Sequence, residues 1–159
     1  MDIKLFLNAK FLKFIFFSLN GRISRRAWWY SQAFIVLVGI VVLFLGTGIA
    51  TSIGLDKSSS ERLISFLIIL ISAIGIFPDA KRLQDRTING LLALFPYVLS
   101  IPLQFHFVPE FLMKFYIFAM WGLKAYIFVN TGVLGSHKGS NKYGQTEVFD
   151  SDSFKDKKD

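Results

Sequence analysis

Long apolar runs separated by short polar segments dominate the pattern of this chain. The first run is the clearest, because no charged residue interrupts it and roughly 20 apolar residues suffice to cross the core of a bilayer. Trp28, Trp29 and Tyr30 begin this run, as expected of aromatic side chains at the level of the lipid headgroups. The pattern predicts an all-α membrane protein with four transmembrane helices, at about residues 27–53, 59–77, 91–107 and 110–134.

Prolines shape the later spans. Pro78 is expected to end the second span, because the residue before a proline is biased away from the helical region. Pro96 and Pro102 fall inside the third span, where each removes a backbone donor and disturbs the preceding turn. We therefore expect a kinked or broken third helix. An alternative count of three spans, with the third segment in the membrane interface, would place the C-terminal tail on the other side.

Two further segments flank the spans. Residues 3–17 combine Phe and Leu with lysines and predict an N-terminal interfacial helix on the bilayer surface. Residues 146–159 mix acidic and basic side chains and predict a flexible polar tail. Residues 1–145 are therefore expected to form a single membrane domain.

The distribution of charge along the chain predicts its orientation in the membrane. The chain has 159 residues, is 53% hydrophobic and contains no cysteine, which excludes a disulfide framework and cysteine metal sites. Its formal net charge of +7 is concentrated near the N-terminus, where residues 1–26 hold six basic residues and one acidic residue. Basic residues that adjoin hydrophobic spans are typical of cytoplasmic loops, not of a nucleic-acid surface. With four spans, both termini are therefore expected in the cytoplasm.

Two basic segments, residues 21–29 and 81–86, adjoin the spans on this predicted cytoplasmic side. Arginine forms planar, bidentate ion pairs with carboxylates, so we expect at least one pair between the first segment and Asp79 or Asp85. A topology anchor touching anionic headgroups and a phosphate-binding site are the alternatives. The turn at residues 141–144 is expected to fold beneath the bundle. The predicted polar cluster comprises Gly21, Arg22, Arg25, Arg26, Asp79, Arg82, Asp85, Asn141, Tyr143 and Gly144.

Lys124 is a charge within the fourth predicted span. An ionisable residue at that depth is a functional candidate, although its long stem can also carry the ammonium to the interface. His106 and His137 are each alone and are predicted on opposite sides of the membrane, so no metal site is expected. No phosphate-cradling, nucleophile or zinc motif occurs, and we expect no catalytic residue and no cofactor.

The chain contains three short motifs in a characteristic order and spacing. They are Gly21-Arg22-x-x-Arg25-x-x-Trp28-Trp29, Lys81-Arg82-Leu83-x-Asp85 and Asn141-x-Tyr143-Gly144. They resemble the signatures of the DUF805 family, small bacterial inner-membrane proteins of uncharacterised function, over roughly residues 10–145. Gln84 stands where that family usually has histidine, and Lys81 where it usually has arginine. The resemblance implies the fold and an inner-membrane location. It supplies no activity, and proton chemistry by the family histidine would not carry over to Gln84.

The sequence thus predicts an integral inner-membrane protein that serves as a scaffold or interaction partner and is not an enzyme. Expected partners are the lipid bilayer, including anionic headgroups, another membrane protein or a second copy of the chain. A pathway for a small solute or ion is the alternative, built from the proline-broken third helix and Lys124. A third reading is a binder of anionic lipid headgroups that uses the basic segments.

Overall fold

The computed structural model describes residues 9–104, 107–137 and 139–144, and over these residues the fold is all-α, as predicted. A 3₁₀ helix at Gly90–Leu94 precedes α5, and a π-helical turn at Val129–Val133 continues α6. His106 and the predicted flexible tail at residues 146–159 lie outside the described residues. The helices are α1 (Ala9–Phe17), α2 (Arg25–Ser52), α3 (Lys57–Ile74), α4 (Ile76–Asp85), α5 (Phe95–Gln104) and α6 (Glu110–Phe128).

Three helical segments are long and apolar enough to cross a membrane, namely Arg25–Ser52, Lys57–Asp85 and Glu110–Val133. They correspond to the first, second and fourth predicted spans. Gly90–Leu103, in the place of the third predicted span, is a shorter apolar helix. Large hydrophobic side chains are exposed along the long segments, among them Phe44, Phe66, Phe111 and Phe118.

The prediction that Pro78 ends the second helical segment is wrong. The break between α3 and α4 falls at Gly75, whose own backbone remains helical, and α4 runs on from Ile76 to Asp85. Pro78 therefore lies in the first turn of α4. A proline is tolerated there because first-turn N–H groups have no partner within the helix. The second basic segment consequently stands on a helix and not in a loop.

Glycines bring α2 and α3 close together in an antiparallel pair. A Cβ atom on Gly46 would lie 2.7 Å from Leu67 Cδ1, and one on Gly39 would lie 3.4 Å from Ile71 Cγ2. Small residues permit such close approach of helix backbones. Since Leu67 faces the later glycine and Ile71 the earlier one, α3 returns the chain to the end of the bundle where α2 begins.

The N-terminal helix α1 packs against the start of α2. Its Phe11, Ile15 and Phe16 side chains are buried in one cluster with Ile23, Ala27 and Trp28. Lys10 and Lys13 are exposed on the other side of α1. The apolar face of α1 therefore covers protein, and the placement of this helix on a bilayer surface stays a prediction.

The last helix, α6, completes the bundle. The Tyr116 hydroxyl donates to the Leu99 carbonyl at 2.9 Å and ties α6 to α5. At its other end, the π-helical turn buries Asn130, Thr131 and Gly132. This turn contacts α2 and α4, with Gly132 against Trp28 and Trp29, so three separate parts of the chain converge at one end of the bundle.

Candidate functional site

Asp85, in the last turn of α4, lies between two arginines. Arg22 Nη2 lies 2.9 Å from Asp85 Oδ1, and Arg22 Nε donates to the same oxygen at 3.1 Å. Arg82 Nη1 pairs with Asp85 Oδ2 from the preceding turn of α4. All three side chains are fully buried. Because an isolated buried charge is costly, this triad fixes the segment before α2 against α4.

Backbone carbonyls from the C-terminal segment accept hydrogen bonds from the remaining N–H groups of Arg22. Its Nη1 donates to the carbonyls of Gly139 at 2.8 Å and Gly144 at 2.6 Å, and its Nη2 donates to that of His137 at 3.1 Å. A guanidinium has five N–H groups. With the two contacts to Asp85, Arg22 makes five polar contacts, and the protein itself saturates this arginine.

Arg82 binds the end of α6 in the same way. Its Nε donates to the Thr131 carbonyl at 2.9 Å and its Nη2 to the Leu134 carbonyl at 2.6 Å. Its Nη1 also reaches Ser136 Oγ at 3.0 Å. The last carbonyls of a helix lack partners within it and form the negative end of the helix dipole. Arg82 therefore caps α6 with a positive charge.

Three more side chains extend this cap: Arg25 donates to Val133 at 2.9 Å, Trp29 to Gly132 at 3.1 Å and Arg86 to Gly135 at 3.0 Å. Each acceptor is a backbone carbonyl. All five consecutive carbonyls of residues 131–135 thus receive hydrogen bonds from side chains of α2, of α4 or of Arg86, the residue after α4. We call this array, together with Arg22, Asp85 and the carbonyls of His137, Gly139 and Gly144, the carbonyl clasp.

Lys81 connects α4 to α1. Its fully buried ammonium donates to the carbonyls of Phe14 and Ser18, and to that of Ile15 at 3.1 Å. These are carbonyls at the C-terminal end of α1, where a cation is favourable. Helix α4 therefore caps the ends of two other helices, α1 and α6.

Gln84, in the second of the three motifs, lies beside Asp85 at the end of α4. Its side-chain Nε2 donates to the Leu19 carbonyl at 2.9 Å, and its backbone carbonyl accepts from Asn141 Nδ2 at 2.9 Å. Its Oε1 is buried without a hydrogen-bond partner among the described residues. Gln84 thus connects the chain after α1 to the 141–144 turn.

The turn at residues 141–144 is closed by its own hydrogen bonds. The Asn141 and Gly144 backbones bond to each other in both directions, at 3.0 and 2.9 Å, and Asn141 Oδ1 accepts from the Tyr143 N–H at 2.8 Å. Gly144 has a φ of 98°, which favours glycine. The Tyr143 ring contacts Lys142, whose Nζ lies 5.0 Å from the ring centroid.

Asp79 lies apart from the arginines of the predicted cluster: among the described residues, no arginine forms an ion pair with it. Its Oδ1 accepts from Trp28 Nε1 at 2.7 Å and from Gln32 Nε2 at 3.1 Å. Six residues on an α-helix correspond to a rotation that leaves Asp79 about 120° from Asp85 around α4. Asp79 therefore faces α2, away from Asp85.

Arg26 and Gly21 also belong to the polar cluster predicted from the sequence. Arg26 is exposed, and among the described residues it forms no ion pair. Gly21 has a φ of 111°, and a Cβ atom there would lie 2.9 Å from the Phe14 ring. Gly21 thus lets the chain turn sharply between α1 and Arg22, whereas Arg26 lies outside the carbonyl clasp.

Lys124 lies on α6 beside a cavity of about 620 Å³. It is exposed, and its Nζ is 5.5 Å from the centroid of the Trp121 ring. Asp79 lines the same cavity. Nowhere in the described ranges do three His, Asp or Glu side chains come together as a metal site requires.

Comparison of the sequence with models of known protein families identifies the family of this chain. A family model described as "Protein of unknown function (DUF805)" matches residues 16–145. The chain belongs to the DUF805 family. No curated protein and no solved structure matches it. In this DUF805 protein the three motifs of the sequence meet at the carbonyl clasp, since Arg22, Asp85 and Gly144 come from one motif each.

Sequence reasoning missed the donors that hold Asp79. Trp28 and Gln32 are four residues apart on α2 and therefore share a face. Gln32 is also a polar side chain within the long apolar run. A polar residue at such a position commonly faces the inside of a bundle, and this signal could have identified a second polar site.

Proposed function

We propose that this DUF805 protein is a multi-pass protein of the bacterial inner membrane, with both termini in the cytoplasm. The exposed apolar side chains of the three long helical segments support this location, because water would not solvate such surfaces favourably. The basic residues at the clasp end support a cytoplasmic position for that end.

Four passes are favoured over three. The segment before α2 and the segment after α6 bind each other through Arg22 and the carbonyls of His137, Gly139 and Gly144. A bundle in which the start of the first long helix and the end of the last lie at the same end contains an even number of passes. The short helix at Gly90–Leu103 then supplies the remaining pass.

The role that we propose is that of a scaffold without catalytic activity, which presents the clasp end to another membrane protein or to a second copy of the chain. The saturation of Arg22 by five contacts within the protein carries this proposal. A phosphate or an anionic headgroup would have to displace those contacts. The clasp therefore serves better as a rigid platform than as an anion receptor.

Thiol labelling tests the topology. The chain has no cysteine, so Ser58→Cys and Ser140→Cys each introduce a single reactive thiol at an exposed position. We expect a membrane-impermeant maleimide to label the Ser58→Cys variant in intact spheroplasts and the Ser140→Cys variant only after lysis. Labelling of both from outside would contradict four passes.

Cross-linking in native membranes, followed by mass spectrometry, tests the scaffold. We expect a discrete complex, either a homo-oligomer or an assembly with one membrane protein, that is weakened in Arg22→Lys and retained in Arg26→Lys. A wild-type chain recovered only as a monomer would contradict the scaffold.

A solute or ion pathway is the second candidate, and the cavity beside Lys124 favours it. It predicts flux through proteoliposomes that Lys124→Met abolishes. Absence of flux with the parent protein would remove this candidate.

A further inference from the structure

The cavity beside Asp79 has the size and shape of a ligand site. Its volume of about 620 Å³ lies within the range of pockets that bind small molecules. Residues from α2, α4, α5 and α6 line it, and the chain's three tryptophans, Trp28, Trp29 and Trp121, are all among them. Apolar walls with a few converging polar groups are typical of binding sites.

Asp79 supplies a negative charge to this cavity. Both hydrogen bonds from Trp28 and Gln32 reach its Oδ1. Oδ2 receives no hydrogen bond from the described residues, and no cation from them lies within ion-pairing distance of this carboxylate. The neutral donors orient the carboxylate but leave its charge uncompensated, so Oδ2 can accept from a cationic ligand.

Lys124 supplies a positive charge to the same cavity. Within the part of the chain that the structure describes, it has no carboxylate within 4 Å and contacts the Trp121 ring. The cavity therefore presents an anion and a cation that are not paired with each other. Such a pair complements a ligand that carries both charges, separated along its length.

The rim of the cavity indicates how such a ligand enters. Trp29, Trp121 and Phe128 line the cavity and are also exposed on the surface of the bundle, by 47%, 62% and 48%. Aromatic side chains of membrane proteins concentrate at the level of the headgroups. In the proposed membrane location, a headgroup can pass between these rings while its acyl chains remain along the exposed apolar helices.

We propose that this cavity binds an ethanolamine phosphate group, with the primary ammonium at Asp79 and the phosphate at Lys124. A primary ammonium has N–H donors for Oδ2, whereas a trimethylammonium has none. The group is the headgroup of an aminophospholipid and also exists as free phosphoethanolamine. The lipid form of the inference depends on the proposed membrane location, and the thiol-labelling experiment tests that location separately.

The test uses the full chain, delipidated in detergent. Dioleoyl-phosphatidylethanolamine, the corresponding phosphatidylglycerol and phosphatidylcholine, and free phosphoethanolamine are each titrated. Tryptophan emission reports occupancy, because every tryptophan lines the cavity, and native mass spectrometry counts bound lipids. We expect one phosphatidylethanolamine per chain, with phosphatidylglycerol and phosphatidylcholine each at least about tenfold weaker, as the loss of one charge-assisted contact implies.

Two variants and one control assign the contacts. Asp79→Asn and Lys124→Gln are each expected to weaken phosphatidylethanolamine binding about tenfold. Lys114→Gln changes an exposed lysine of α6 that does not line the cavity, and it should bind as the parent does. Binding of free phosphoethanolamine with the same dependence on Asp79 and Lys124 would support the chemistry and assign an aqueous source.

Equal binding of the three lipids by the parent would overturn the proposal, even if both variants failed to fold. Retention of full affinity in folded Asp79→Asn would also overturn it. If either result were obtained and the thiols of Ser58→Cys and Ser140→Cys were labelled as expected, the cavity proposal would fail and the proposed membrane location would remain supported.

Discussion

Asp79 and Asp85 stand on the same helix, six residues apart, and their surroundings are opposite in kind. Two fully buried arginines enclose Asp85, and its charge is compensated within the protein. Asp79 receives hydrogen bonds from two neutral side chains and lines a cavity. One carboxylate therefore joins segments of the fold through ion pairs, whereas the other faces a cavity and forms no ion pair with the described residues.

The difference follows from the phase of α4. Lys81 and Asp85 share one face of this helix, and Arg82, about 60° from Asp85 around the helix, turns its guanidinium to Asp85 and to the end of α6. Another face carries Asp79 toward α2. A single ten-residue helix thus separates a structural polar region from a candidate binding region, and substitutions on the two faces should differ in what they damage.

The largest expected effect is that of Asp85→Asn. It leaves Arg22 and Arg82 buried without a counter-charge, a loss that typically costs about 3–5 kcal/mol of unfolding free energy. Thermal unfolding in detergent should show a strongly lowered midpoint or no folded protein. A midpoint close to that of the parent would mean that the backbone carbonyls alone compensate both arginines, and the contrast between the two aspartates would disappear.

Arg22→Lys should have the next largest effect. A lysine keeps the charge but cannot reach Asp85 and three carbonyls at once, so we expect a loss of about 1.5–3 kcal/mol. The 139–144 segment should loosen, and trypsin should cut faster after Lys142. The matched control is Arg26→Lys, since Arg26 is exposed outside the clasp; equal cleavage rates in both variants would contradict the clasp.

Asp79→Asn should change stability by no more than about 1 kcal/mol. The amide oxygen can still accept from Trp28 and Gln32, and no buried arginine loses a partner. The same unfolding assay as for Asp85→Asn makes the comparison direct. A loss as large as that of Asp85→Asn would show that Asp79 is also a structural charge.

The smallest effect concerns a third aspartate, Asp56, at the N-terminus of α3. Hydrogen bonds from the Ser59 side chain and from its backbone N–H hold the pKa of Asp56 below its ordinary value. A lowered pKa in the folded state stabilises the protein above the ordinary aspartate pKa of about 3.9, and this contribution is lost as the pH falls through the lowered value.

Asp56→Ala should therefore lower the unfolding midpoint slightly at neutral pH and not at strongly acidic pH. The parent and the variant, compared by thermal unfolding across this pH range, provide the measurement. A difference that persisted unchanged in acid would contradict a contribution from the ionised cap.

The helices and the family could be read from the sequence because hydrophobic runs and motif spacing are local properties. The pairing of Arg22 with a carboxylate was also expected from charge type alone. The carbonyl partners at residues 131–135 were not, since every residue carries a carbonyl and only tertiary packing selects the acceptors. The different roles of Asp79 and Asp85 were missed for one reason: a loop was expected after Pro78, so helical phase was not applied to them.

The carbonyl clasp has a consequence for biosynthesis. The carbonyl acceptors of Arg22 lie 115 to 122 positions later in the chain than the arginine itself. During vectorial synthesis, Arg22 and Asp85 emerge well before those acceptors exist, so this end of the bundle can close only after residue 144 has been made. A product terminated before residue 131 would retain unsatisfied donors on Arg22 and Arg82 at this end of the bundle.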